Sequence, residues 1–115
     1  MQESTDQQTV TQQRQHEMLK VALQPLIPYL EHPEVTEIML NPDGQLWIER
    51  HGQGRINSGE TMQPSEAERV IRLVGSHIGQ DVTRAFPIVS AELPGGGERF
   101  EGVLAPVAMA PSFTI

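Results

Sequence analysis

Between Arg14 and Gln24, Met18, Leu19 and Ala22 fall on one face, with Leu23 beside it, at spacings of three and four. That period predicts a helix, and the surrounding residues are good helix formers. Pro25 has no amide hydrogen to donate, so it bends or ends the helix. Leu26, Ile27, Tyr29 and Leu30 make a second, short apolar turn before Glu31-His32-Pro33. The pattern then changes. Val35–Leu40 and Gln45–Arg50 read as strands, joined by Asn41-Pro-Asp-Gly44, where proline presets one turn dihedral and Asp-Gly tolerates the reversing positive angle. His51–Gly54 turns again into a short third strand, Arg55–Asn57, so 35–57 is expected to be an antiparallel meander.

The clearest helix follows. Ala67, Val70, Ile71, Val74 and Ile78 form one stripe, while Glu66, Glu68, Arg69 and Arg72 lie largely off it. Ser65-Glu-Ala-Glu68 fits a capping box, Pro64 fits a helix start, and Gly79 closes the helix. The stripe is expected to pack a core. Gln80–Phe86 has no period and reads as loop. Pro87–Leu93 and Arg99–Leu104 are strands around a Pro-Gly-Gly-Gly-Glu tip, and Met109–Ile115 is a last strand whose start Pro106 and Pro111 restrict. The chain stops inside this strand, which is expected of a domain cut from a longer protein.

Composition narrows the picture. At 115 residues one domain is expected, and the 37% hydrophobic content is low for a self-sufficient globule. Part of that deficit lies in the polar extension 1–13, either disordered or an exposed helix. Net charge is −7, with Lys20 the only lysine and no basic cluster, so direct nucleic-acid binding is not expected. With no cysteine there is neither a disulfide framework nor a thiolate metal site. No apolar run approaches the ~20 residues that span a bilayer, and the start lacks a basic-then-apolar signal. A cytoplasmic protein is expected.

The motif that most suggests chemistry is Ser90-Ala-Glu-Leu-Pro-Gly-Gly-Gly-Glu-Arg-Phe-Glu-Gly102. A phosphate-cradling loop needs Gly-x-x-x-x-Gly-Lys-[Ser/Thr] leading into a helix. Here Glu98-Arg99 follows the glycines and a strand follows them, so the stretch reads as a hairpin tip. His16, His32, His51 and His77 are scattered, with no helical i, i+4 pair, and no metal is assigned. Glu92, Glu98 and Glu101 lie near one another across the hairpin, in an alternation that fits a solvated strand face better than acid–base catalysis. Ser90 lacks the Gly-x-Ser-x-Gly setting of a nucleophile. No catalytic residue is assigned. Arg99 remains, its fork at the base of the turn either paired with a nearby glutamate or reaching an anion from another domain.

Three stretches in order, EVTEIMLNPDGQLWIER (34–50), PSEAERVIRLVGSHIG (64–79) and PIVSAELPGGGERFEGVLAPV (87–107), resemble the N-terminal domain of the TrbB-type conjugative-transfer ATPases. These are hexameric traffic ATPases of type IV secretion, related to the type II secretion and type IV pilus motors. The resemblance covers roughly residues 18–115. It implies an α+β domain over 14–115, with a PAS-like antiparallel sheet packed by N-terminal and mid-chain helices. It further implies a RecA-like ATPase domain following residue 115, a homo-hexameric parent, ATP and Mg2+ as its cofactors, and membrane components of the secretion channel as partners. The parent would lie at the cytoplasmic face of the inner membrane. The arginine of the family's Gly-x-Arg engages nucleotide phosphate and maps onto Arg99. Without Walker motifs the chain itself is expected to be inactive and to hold no cofactor. The competing readings are a type II secretion or pilus motor domain, and a stand-alone PAS-like ligand sensor.

Overall fold

The first helix extends well beyond the apolar stretch that predicts it. The computed structural model describes residues 2–115, with side chains from Val10 onward. In it α1 runs from Gln2 to Ala22. Its core-facing side chains come late, at Leu19, and the chain continues into Leu23 and Leu26, all buried. Pro25 acts as expected: a short 3-10 turn, Gln24–Leu26, separates α1 from α2 (Ile27–Leu30).

Six strands follow, interrupted by one helix. They are β1 (Val35–Leu40), β2 (Gln45–Arg50), β3 (Gly54–Thr61), β4 (Ile88–Glu92), β5 (Arg99–Val103) and β6 (Ser112–Thr114), with α3 (Pro64–His77) between β3 and β4. The sheet order is β3-β2-β1-β6-β5-β4, and every pairing is antiparallel. Two three-stranded meanders therefore meet at one seam, β1 against β6. Ile38 and Ile115 extend the seam by exchanging both backbone bonds, at 2.9 and 2.8 Å. The fold is α+β, an antiparallel sheet packed by N-terminal and mid-chain helices.

Alternation along the strands sends Ile38, Leu40, Leu46, Val89, Phe100 and Phe113 to one face. There they meet Leu19, Leu23 and Leu26, and the Ala67, Val70, Ile71 and Val74 stripe of α3. Phe100 and Phe113 stack with ring centres 5.5 Å apart. Two glycines let α3 approach closely. A Cβ built on Gly102 of β5 would stand 2.8 Å from Ile71 Cγ1, and one on Gly75 would stand 2.7 Å from Val82 Cγ2. The opposite face is mostly polar, with two apolar cross-strand pairs, Met39 with Trp47 and Ile88 with Val103.

Four local expectations change. The capping box of α3 forms on Gln63 and Glu66, not Ser65 and Glu68: the Glu66 carboxylate accepts the Gln63 N–H at 3.2 Å. Pro64 occupies the first helical turn, where its fixed φ belongs, and this shifts the cap upstream. At the other end Gly79 does close the helix. With φ +74 it donates to Ser76 O at 3.0 Å, while Gln80 N–H reaches Gly75 O at 2.8 Å, the double bond of a Schellman end. Ile78 is the C-cap and 45% exposed, so the apolar stripe stops at Val74.

β3 is longer than Arg55–Asn57 because its later residues, Ser58-Gly-Glu-Thr61, pair across a bulge with little burial to mark them. β6 is shorter than Met109–Ile115. Pro111 lacks an amide hydrogen, and Met109 is fully solvent-exposed. The stretch Gln80–Phe86 is irregular as expected, held by the Arg72 guanidinium donating to Val82 O at 2.7 Å and the Gln80 amide to Ile88 O at 2.8 Å.

Candidate functional site

The glycine-rich stretch is the tip of the β4–β5 hairpin. Glu92 pairs with Arg99 at its base, Leu93 N–H donates to Glu98 O at 2.8 Å, and Gly97 N–H donates to Leu93 O at 3.1 Å. Gly95 and Gly97 take φ of +89 and +76, a region side-chain-bearing residues rarely enter. The glycines are thus accounted for by the reversal itself. Below the tip, Leu93 is buried against the helices.

Arg99, the first residue of β5, points to the open face with a side chain 75% exposed. One guanidinium nitrogen lies 3.5 Å from the Glu101 carboxylate, itself half-exposed. Water screens such a pair, and its net worth is about 0–1 kcal/mol, so an incoming anion exchanges for Glu101 at little cost. A surface cleft of about 310 Å³ opens beside Arg99, lined by Tyr29, Leu30, Thr36, Glu37 and Ile115 among others.

The three glutamates do not converge. Glu92 and Glu101 alternate onto the open face with Arg99 and Ser90, whereas Glu98 sits in the turn beside Gly96. Glu98 lines the Arg99 cleft and also a second one, about 470 Å³, with His16, Lys20 and the apolar side chains of α1 and α2. Ser90 is exposed opposite Glu101, without a histidine beside it. Among the described residues no group of three or more His, Asp or Glu side chains is placed to hold a metal ion. His32 Nδ1 accepts the Glu34 N–H at 3.1 Å. His16 and His77 face each other with ring centres 6.0 Å apart, a juxtaposition invisible in the sequence because it joins two helices. No described helix is long and apolar enough to cross a membrane.

No protein-family model matches the sequence. Curated relatives do. The chain is 52% identical over 86 residues to a probable conjugal transfer protein TrbB of Sinorhizobium fredii, covering 75% of this chain and 26% of that protein. It is 45% identical over 111 residues to the conjugal transfer protein TrbB of Rhizobium radiobacter, covering 92% of this chain and 34% of the relative. Among solved structures, the VirB11 ATPase from the Brucella suis type IV secretion system, in complex with sulphate, aligns with a TM-score of 0.77 at 25% identity. That alignment covers 91% of this chain and 32% of the other. The chain thus spans about a third or less of the length of these relatives.

Fold and matches together point to the conjugal-transfer and type IV secretion class. Within it, the chain belongs to the N-terminal domains of the TrbB/VirB11-type traffic ATPases.

Proposed function

We propose that this domain is the accessory tier of a hexameric ATPase that powers conjugative transfer or type IV secretion. In this reading the parent hydrolyses ATP with Mg2+ through a RecA-like domain downstream of residue 115, at the cytoplasmic face of the inner membrane. The domain assists nucleotide binding, ring assembly and docking to the membrane channel. The conjugal-transfer and type IV names of the relatives favour this branch over a type II secretion or pilus motor. The sensor reading gains nothing from an interior filled by Phe100, Phe113 and the α3 stripe.

The observation that carries the reading to a residue is Arg99. Its guanidinium projects into solvent, loosely held by Glu101, on a hairpin fixed by its own turn bonds. This geometry suits one charge-assisted contact to a phosphate held elsewhere. The VirB11 structure that the fold resembles is a complex with sulphate, an anion of phosphate-like shape and charge. In this reading the metal and the rest of the nucleotide are held by the downstream domain, and this domain's share is the single Arg99 fork. When bound there, ATP and Mg2+ supply the phosphoryl chemistry. Arg99 contributes attraction and orientation, adding positive charge where the phosphates carry negative charge.

In the full-length parent, Arg99→Ala should weaken ATP binding about ten- to a hundredfold, the worth of a hydrogen bond to a charged group. Arg99→Lys should recover part of it, since lysine keeps the charge but loses the fork. Equilibrium nucleotide titration and steady-state hydrolysis measure both; unchanged values for alanine remove Arg99 from the site.

A further inference from the structure

We propose that His16 and His77 form a two-histidine site for a borderline divalent cation of the zinc, nickel or copper kind, clamping α1 to α3. The two residues lie on separate helices, which the fold brings together, and their rings stand 6.0 Å centre to centre at 62°. Around a tetrahedral ion with metal–nitrogen bonds of about 2.0–2.1 Å, two imidazole centres stand roughly 5–5.5 Å apart. Small rotations of two exposed side chains close that difference.

The setting suits a cation. The rings border an open cleft of about 410 Å³ lined by Gln12, Gln15, Ser76 and Gly79 besides themselves. No charged lysine, arginine, aspartate or glutamate lines it, and Lys20, one turn on from His16, lines the adjoining cleft instead. None of the described side-chain hydrogen bonds or ion pairs engages either ring. Gln12 precedes His16 by one helical turn, so its amide oxygen shares that face and completes the coordination together with water. Neutral imidazole suits zinc, nickel and copper in preference to magnesium or calcium. An ion bridging the two helices binds the folded chain better than the unfolded one and therefore stabilises it.

The test titrates the tag-free full chain with Zn2+ while imidazole signals are followed by NMR, and a thermal melt is recorded at saturation. The His16 and His77 signals should move together at one equivalent, while His32 and His51 stay still. The melt should rise by several degrees. His16→Ala and His77→Gln should each abolish the rise with the fold intact, and His51→Gln should keep it. Equal response of all four histidines, a rise that survives either single variant, or no response to millimolar Zn2+ overturns the proposal. Mg2+ giving the same response would also overturn it.

Discussion

Gly102 shows how a single missing side chain sets the distance between layers. With Ile71 and Phe100 each 2.8 Å from where a Cβ would stand, Gly102→Ala should overpack the junction of α3 and β5 and cost about 1–3 kcal/mol. Urea unfolding measures it as a fall in midpoint. Arg99→Ala should do the opposite of what a functional residue's prominence suggests, leaving domain stability within about 0.5 kcal/mol because the side chain is three-quarters exposed. At this scale the sequence was readable where chemistry is local. The failure of the glycine triplet as a phosphate loop follows from Glu98-Arg99 and from the strand after it, and the turn bonds agree. It was unreadable where two distant residues meet. His16 and His77 show no pairing signal, because their approach depends on how α1 crosses α3. Gly102 likewise looks like any strand glycine until Ile71 is laid over it.

Elements were legible to the degree that burial marked them. The stripe marks α3 and Gly79 its end, but its start lies two residues before Ser65, at Gln63, a residue type that the common cap preferences do not single out. The two registers make different predictions. Glu66→Ala should remove the bond to Gln63 N–H and cost about 0.5–1 kcal/mol, while Glu68→Ala, in a half-exposed pair with Arg72, should cost a few tenths. Comparing their melting temperatures decides between them.

β3 beyond Asn57 has no signature in the sequence, because Ser58 is its one half-buried residue and no alternation marks it. Yet its bulge is built with care. Gly59 N–H donates to Asn57 Oδ1 at 2.9 Å and Glu60 N–H to Ser58 Oγ at 3.1 Å, while the Ser58 hydroxyl reaches Leu46 O at 2.6 Å. The strand thus satisfies from within two amides that an edge would otherwise offer to another chain. The double variant Asn57→Ala, Ser58→Ala should release them and raise self-association, visible by sedimentation as a concentration-dependent species. An unchanged monomer distribution would show that the edge is protected by other means.

The whole molecule is one sheet and one helical layer, with extents of 54 × 33 × 19 Å. Its helices and first meander are legible in the alternating segments and the stripe of α3, while the α+β class follows from the family resemblance. The strand order was not, because nothing local in Phe113-Thr-Ile115 says that these residues lie beside β1 at the centre. Removing 113–115 should therefore cost far more than trimming a terminus usually does. β1 and β5 would lose their common neighbour, Phe113 would leave its stack with Phe100, and the cooperative thermal transition should disappear from calorimetry.

That central seam has a consequence for biosynthesis. The β1–β2–β3 meander emerges from the ribosome early, but its inner border stays open until the last residues described here have cleared the exit tunnel. During that interval the nascent chain carries a half-sheet with an apolar face and an unpaired edge, which makes it a natural client for ribosome-bound chaperones.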